Sequence, residues 1–153
     1  MHGKKCWHVS VGGVTLPSFS LAIGEQTARR QPLRNRSQAK EFRDYFPEVG
    51  LYVWCSWRLA IKGVVTATSR SSGPVVIGQL RRLRGRTVKS VVTNPSNDLV
   101  IVFDSATTLS LFCDVPRESR LLSQWELVVD DRVLAIEPKR GERLLSRTPV
   151  VGE

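Results

Sequence analysis

The clearest regularity along the chain is an alternation of apolar and polar positions with period two. Within residues 98–104, Leu99, Ile101 and Phe103 share one face and Val100 and Val102 the other. A strand covered on both sides, as at the centre of a sheet, is the expected element. Residues 108–113 alternate again, grouping Leu109, Leu111 and Cys113, and the short link Ser105-Ala106-Thr107 makes the two a hairpin. Residues 86–93 precede them across the turn formers Asn94-Pro95-Ser96-Asn97, which completes a three-strand meander. A second hairpin is expected from residues 124–129 and 132–137, turning at Asp130-Asp131 and ended by Pro138.

The first half repeats this theme. Residues 18–24 alternate like 99–104, and Leu51-Tyr52-Val53-Trp54-Cys55 matches Leu109-Ser110-Leu111-Phe112-Cys113 position by position. A Trp-x-Leu triplet follows each, Trp57-Arg58-Leu59 and Trp125-Glu126-Leu127. Chance likeness between strands is the competing account of this match. The expected fold class is mainly β, α+β at most: two pseudo-repeated antiparallel β-meanders packed together. Their halves span about 5–68 and 75–138 within a single domain 1–153, with 139–153 a polar tail over the surface. One insertion, 25–50, is peculiar to the first half. Phe42, Tyr45 and Phe46 lie there at i, i+3, i+4 behind Ser37 as N-cap, predicting a short helix at about 37–46 that stops before Pro47 and turns its aromatic face to the core. Ser69 to Pro74 reads as a flexible linker.

Composition narrows the class further. At 153 residues one domain is expected, long enough to bury about 68–70% of the unfolded chain's surface. No apolar run approaches the ~20 residues of a membrane helix, so no membrane partner is expected. Lys4 and Lys5 are followed by a broken, glycine-containing stretch rather than an apolar secretory segment. Three cysteines, Cys6, Cys55 and Cys113, cannot all pair within one chain, and reduced thiols in a cytoplasm are expected. The net charge of +9 is lopsided: residues 1–90 hold 16 Lys and Arg against 4 Asp and Glu, and residues 91–153 hold 7 against 10. A field of that sign attracts polyanions or acidic protein surfaces.

Candidate chemistry is sparse. Nucleophilic catalysis needs a Ser or Cys within reach of a base, and His2 and His8 both lie near the terminus, so no catalytic residue is assigned and no enzyme is expected. Cys55 and Cys113 fall on apolar strand faces, where a thiol acts as a small hydrophobe. His2, Cys6 and His8 lack the fourth ligand and spacing of a structural zinc site, so no metal is assigned. Asp130-Asp131 suits a turn. No phosphate-binding glycine loop is present, and no cofactor is expected. What remains is basic: Arg29, Arg30, Arg34 and Arg36 in the insertion, and Arg81, Arg82, Arg84 and Arg86 in a second segment. Tyr52 and Trp54 share the face opposite Leu51 and Val53. Arginines with aromatics are the pattern of a single-strand nucleic-acid binder; equally, the aromatics cover a second core layer and the arginines form a solvated rim.

Phe19-Ser20-Leu21-Ala22-Ile23-Gly24, residues 51–59, Gly85-Arg86-Thr87-Val88 and residues 109–114 together resemble a family of small uncharacterised bacterial β-rich domains. Some of these are similar to immunity proteins of polymorphic toxins. The resemblance implies two meanders ending in Trp-x-Leu strands and a non-enzymatic protein-binding role, with an acidic protein surface as partner and nucleic acid as the alternative. It transfers no catalytic residue. One departure is charge, since partners of nuclease toxins are usually acidic and this chain is basic.

Overall fold

The computed structural model describes residues 1–12, 18–113, 124–129, 132–137 and 141–146. The alternating segments become strands and the chain is mainly β, in the order β1 (Cys6–Gly12), β2 (Ser18–Ala28), α1 (Lys40–Asp44), β3 (Tyr45–Val53), β4 (Ser56–Ile61), β5 (Val64–Thr68), α2 (Gly73–Arg81), β6 (Val88–Thr93), β7 (Leu99–Phe103), β8 (Thr107–Phe112), β9 (Trp125–Val129), β10 (Arg132–Glu137) and β11 (Gly141–Ser146). Two antiparallel sheets result. One runs β1-β2-β3-β9-β10-β11 and the other β5-β4-β8-β7-β6.

These two orders are related by exchange. Replacing β1 to β5 with β6 to β10, and the reverse, turns 1-2-3-9-10 into 6-7-8-4-5. Each meander therefore gives three strands to one sheet and passes its next pair to the other. At the first crossover the N–H groups of Trp54 and Cys55 both donate to the Gln124 carbonyl at 3.0 Å. At the sheet margins the N-terminal segment bridges to the start of β6, with Cys6 N–H donating to Arg86 O and Gly85 N–H to Cys6 O.

The inward faces follow from period two. Phe19, Leu21 and Ile23 of β2 and Val49, Leu51 and Val53 of β3 meet Trp57, Leu59, Ile101, Phe103, Leu109 and Leu111 of the facing sheet in one core. Trp57 lies edge-on to Phe19 with ring centroids 5.4 Å apart, an arrangement favoured by the ring quadrupoles. Its counterpart Trp125 is also buried and donates its indole N–H to Asn97 O at 3.0 Å. α2 adds Val76 and Leu80, one helical turn apart, to the same core.

Four expectations need correction. The helix predicted at 37–46 is confined to Lys40–Asp44, with Ala39 rather than Ser37 at its N-cap; Tyr45 and Phe46 join β3, where they pair with Ala28 and Thr27. Pro47 is tolerated there because β9 pairs only from Val49 onward, so no ladder on that side needs its missing N–H. Ser69 to Pro74, expected as a flexible linker, is a tight turn leading into α2, with Pro74 in the first helical turn, where its fixed φ is an asset. β11 falls inside the stretch read as a polar tail, so residues 141–146 are strand. Val100 and Val102 are half-buried rather than covered. The turn at Asp130-Asp131 lies outside the described residues.

Candidate functional site

Two of the sequence's basic stretches, distant along the chain, come together on one face. The loop before α1 and the end of α2 flank β1, which is an edge strand of its sheet. Between them lies an open recess of about 340 Å³, walled by His8 and Ser10 of β1, by Ser37 and Gln38 of the loop, and by Ile77 and Arg81 of α2. Glu41 of α1 clips the two segments, its carboxylate 2.7 Å from the Arg84 guanidinium and 3.0 Å from Gln26 Nε2.

The eight arginines predicted as a patch divide into two groups. Arg84 pairs with Glu41, and Arg86 lies 3.6 Å from Asp104. Arg82 donates to Gln79 Oε1 at 3.3 Å. Arg29 is built into the fold: its guanidinium sits 3.6 Å from the Phe46 ring centroid and its Nε donates to Tyr45 O, and burial lowers its pKa. The side chains of Arg30, Arg34, Arg36 and Arg81 are exposed and have no hydrogen bond or ion pair with any described residue. The free positive charge of the face thus lies in the loop and at the recess.

His8 is the residue sequence reasoning missed. Nearness to the terminus argued for mobility, yet β1 places the imidazole under the loop at 7% exposure, stacked on Phe42 with centroids 4.8 Å apart. Its Nε2 is buried with no hydrogen-bond partner. Burial pushes its pKa below the usual value, Glu41 opposing the shift and Arg84 adding to it. The apolar run Cys6-Trp7 before the alternation of Val9 and Val11 was the available signal that the strand begins early.

The outer face of the same sheet carries the aromatic pair. Tyr52 and Trp54 stack with centroids 6.2 Å apart and planes 14° from parallel, and Trp54 is exposed. Beside them a shallow depression of about 140 Å³ is floored by Ser10, Gly12, Ser18 and Ser20. Gly50 makes room for this arrangement, since a Cβ there would stand 3.1 Å from the Tyr52 ring. Ser10 borders both hollows, so the surface is continuous from Arg81 to Trp54.

The Cys6 and Cys55 thiols are poor nucleophiles. Burial raises Cys6 and Cys55 to about 12, with the Cys113 thiol adding to the effect at Cys55. Cys6 donates its thiol to His8 O, and Cys113 donates to Asn97 O. Among the described residues no group of three or more His, Cys, Asp or Glu side chains is placed to hold a metal ion, and no helix is long and apolar enough to cross a membrane. Compared with protein-family models, curated proteins and solved structures, the chain matches none.

Proposed function

We propose that the chain is a non-enzymatic, cytoplasmic binding module for an acidic protein surface, immunity-like in role, which engages its partner through the loop before α1 and the exposed side of α2. One observation carries this reading: four arginines of that face, Arg30, Arg34, Arg36 and Arg81, are unpaired by described residues. Leu33 of the loop and Ile77 of α2 are exposed on those elements, and Phe46 is exposed at the start of β3. Arginine and aromatic side chains are the types enriched at interface hot spots, while unpaired rim charges steer association. Affinity capture from the native host, followed by identification of a stoichiometric partner, tests it. The triple variant Arg30→Glu, Arg34→Glu, Arg36→Glu is expected to slow association with that partner by about tenfold or more at low salt, with a smaller effect at high salt. Recovery of no stable partner, or an unchanged association rate, overturns the reading.

A second reading, a nucleic-acid-binding accessory protein, is favoured by the Tyr52–Trp54 stack, its Trp54 exposed, beside a serine-lined depression. Stacking on such a platform contributes about 1–3 kcal/mol per base. It predicts quenching of Trp54 fluorescence by single-stranded oligonucleotides, with an affinity falling steeply as salt rises.

A further inference from the structure

The recess between β1 and α2 has a composition more specific than its surroundings. Among the described residues its walls hold one cation, Arg81, whose side chain none of them pairs. One neutral donor accompanies it: Gln38 accepts the Ser10 hydroxyl on Oε1 at 3.4 Å, which leaves its amide N–H groups available. The His8 ring lines the recess, its Nε2 buried out of reach of solvent. No carboxylate among the described residues lines the recess, and Glu41, the acid whose charge acts on His8, is already held by Gln26 and Arg84. Ile77 supplies an apolar wall for the body of whatever carries that acceptor.

We infer that this recess is a binding site for a single carboxylate on a short apolar stem, held by the Arg81 guanidinium and the Gln38 amide beside the His8 ring. One guanidinium with one neutral donor matches a monoanion; a phosphate dianion would lack a second cation. The stem is either a free small carboxylic acid or an Asp or Glu side chain of a docked segment. The inference goes beyond a partner of generally acidic surface, because a small acid can test the site whether or not any protein partner exists.

The experiment is a nuclear magnetic resonance titration of the labelled whole chain with two probes, butyrate and the tripeptide acetyl-Val-Glu-Val-amide, with butylamine as the cationic control. Saturable shifts of the His8 imidazole and Arg81 Nε signals are expected with a carboxylate probe and not with butylamine. Tighter binding of butyrate identifies a small-acid site; tighter binding of the tripeptide identifies a side-chain site. Arg81→Gln should weaken binding by at least about tenfold and Arg81→Lys should recover part of the loss. Gln38→Leu, on the opposite wall, is a second variant expected to weaken it by about threefold or more. Absence of saturable shifts at His8 with both probes overturns the site, as does binding unchanged in a folded Arg81→Gln. Either result leaves the protein-partner reading standing, since that rests on capture from the host.

Discussion

The β7–β8 hairpin turns through Ser105 and Ala106, both with left-handed backbone at φ 54° and 53°. Within the three-residue connection 104–106 the Thr107 N–H donates to Asp104 O, and a turn closed this way whose twist matches the flanking strands needs positive φ at both central residues. Alanine in that region carries a penalty of about 1–2 kcal/mol, from Cβ crowding the following carbonyl. Ala106 is exposed, and its carbonyl accepts Lys62 N–H at 2.8 Å, a bond that glycine retains. Ala106→Gly therefore relieves the crowding, and the greater freedom of glycine in the unfolded chain takes back about 0.4–1 kcal/mol. The net expectation is a stabilisation of about 0.5–1 kcal/mol. With a urea m-value of about 2 kcal/mol/M, the unfolding midpoint should rise by about 0.3–0.5 M at unchanged m. The adjacent β4–β5 turn supplies the reciprocal control: Gly63 lies at φ 77° with open space around an added Cβ, so Gly63→Ala should destabilise by about 1 kcal/mol through backbone strain alone. A lower midpoint for Ala106→Gly, or no change for Gly63→Ala, would refute the reasoning.

His8 makes stability depend on pH in a defined direction. Because its folded pKa lies below the unfolded value near 6.5, the unfolded chain takes up a proton first as pH falls, and stability declines below about pH 6.5 with a slope of at most about 1.4 kcal/mol per unit. His8→Phe, which keeps an aromatic ring against Phe42, should flatten that part of the curve; an unaltered slope in urea unfolding at pH 7 to 5 would count against it. The thiols should separate kinetically, Cys6 and Cys55 reacting with a disulfide reagent at pH 8 only on unfolding, because both are buried and raised to about 12. Fast labelling of two or three thiols in the native protein would contradict this. For the core, the cycle Phe19→Leu with Trp57→Leu should return a coupling of about 0.5–1.5 kcal/mol from their edge-to-face contact, measured by denaturant unfolding.

Strands were legible where period two ran unbroken, as in β7 and β8, because one buried face writes itself into every second residue. β1 was not, because the register slips between Cys6 and His8 and three consecutive residues become buried. α2 was masked by Ser71-Ser72-Gly73-Pro74, whose composition suits a linker and equally suits a helix start, and only the burial of Val76 and Leu80 decides between them. Phe42, Tyr45 and Phe46 carry a helical spacing that tertiary pairing with β2 overrides. In the candidate site the arginines were visible as charge, but their division into paired and unpaired was not. Glu41 reaches Arg84 across 43 residues and Asp104 reaches Arg86 across 18, separations that no local pattern encodes.

The exchanged strand order has a consequence for how the chain can be divided. β3 is paired with β9 and β4 with β8, so each half holds the strand that the other half's sheet must recruit. Cutting between Arg70 and Ser71 would yield one fragment with three strands of one sheet and an orphaned hairpin of the other, and a second with three strands of each sheet, neither with a closed core. Such pieces are expected to be unfolded apart and to assemble one to one when mixed, their recovery limited by encounter rather than by internal search. The protein is on this account a ready-made split reporter, with a signal that depends on two chains meeting.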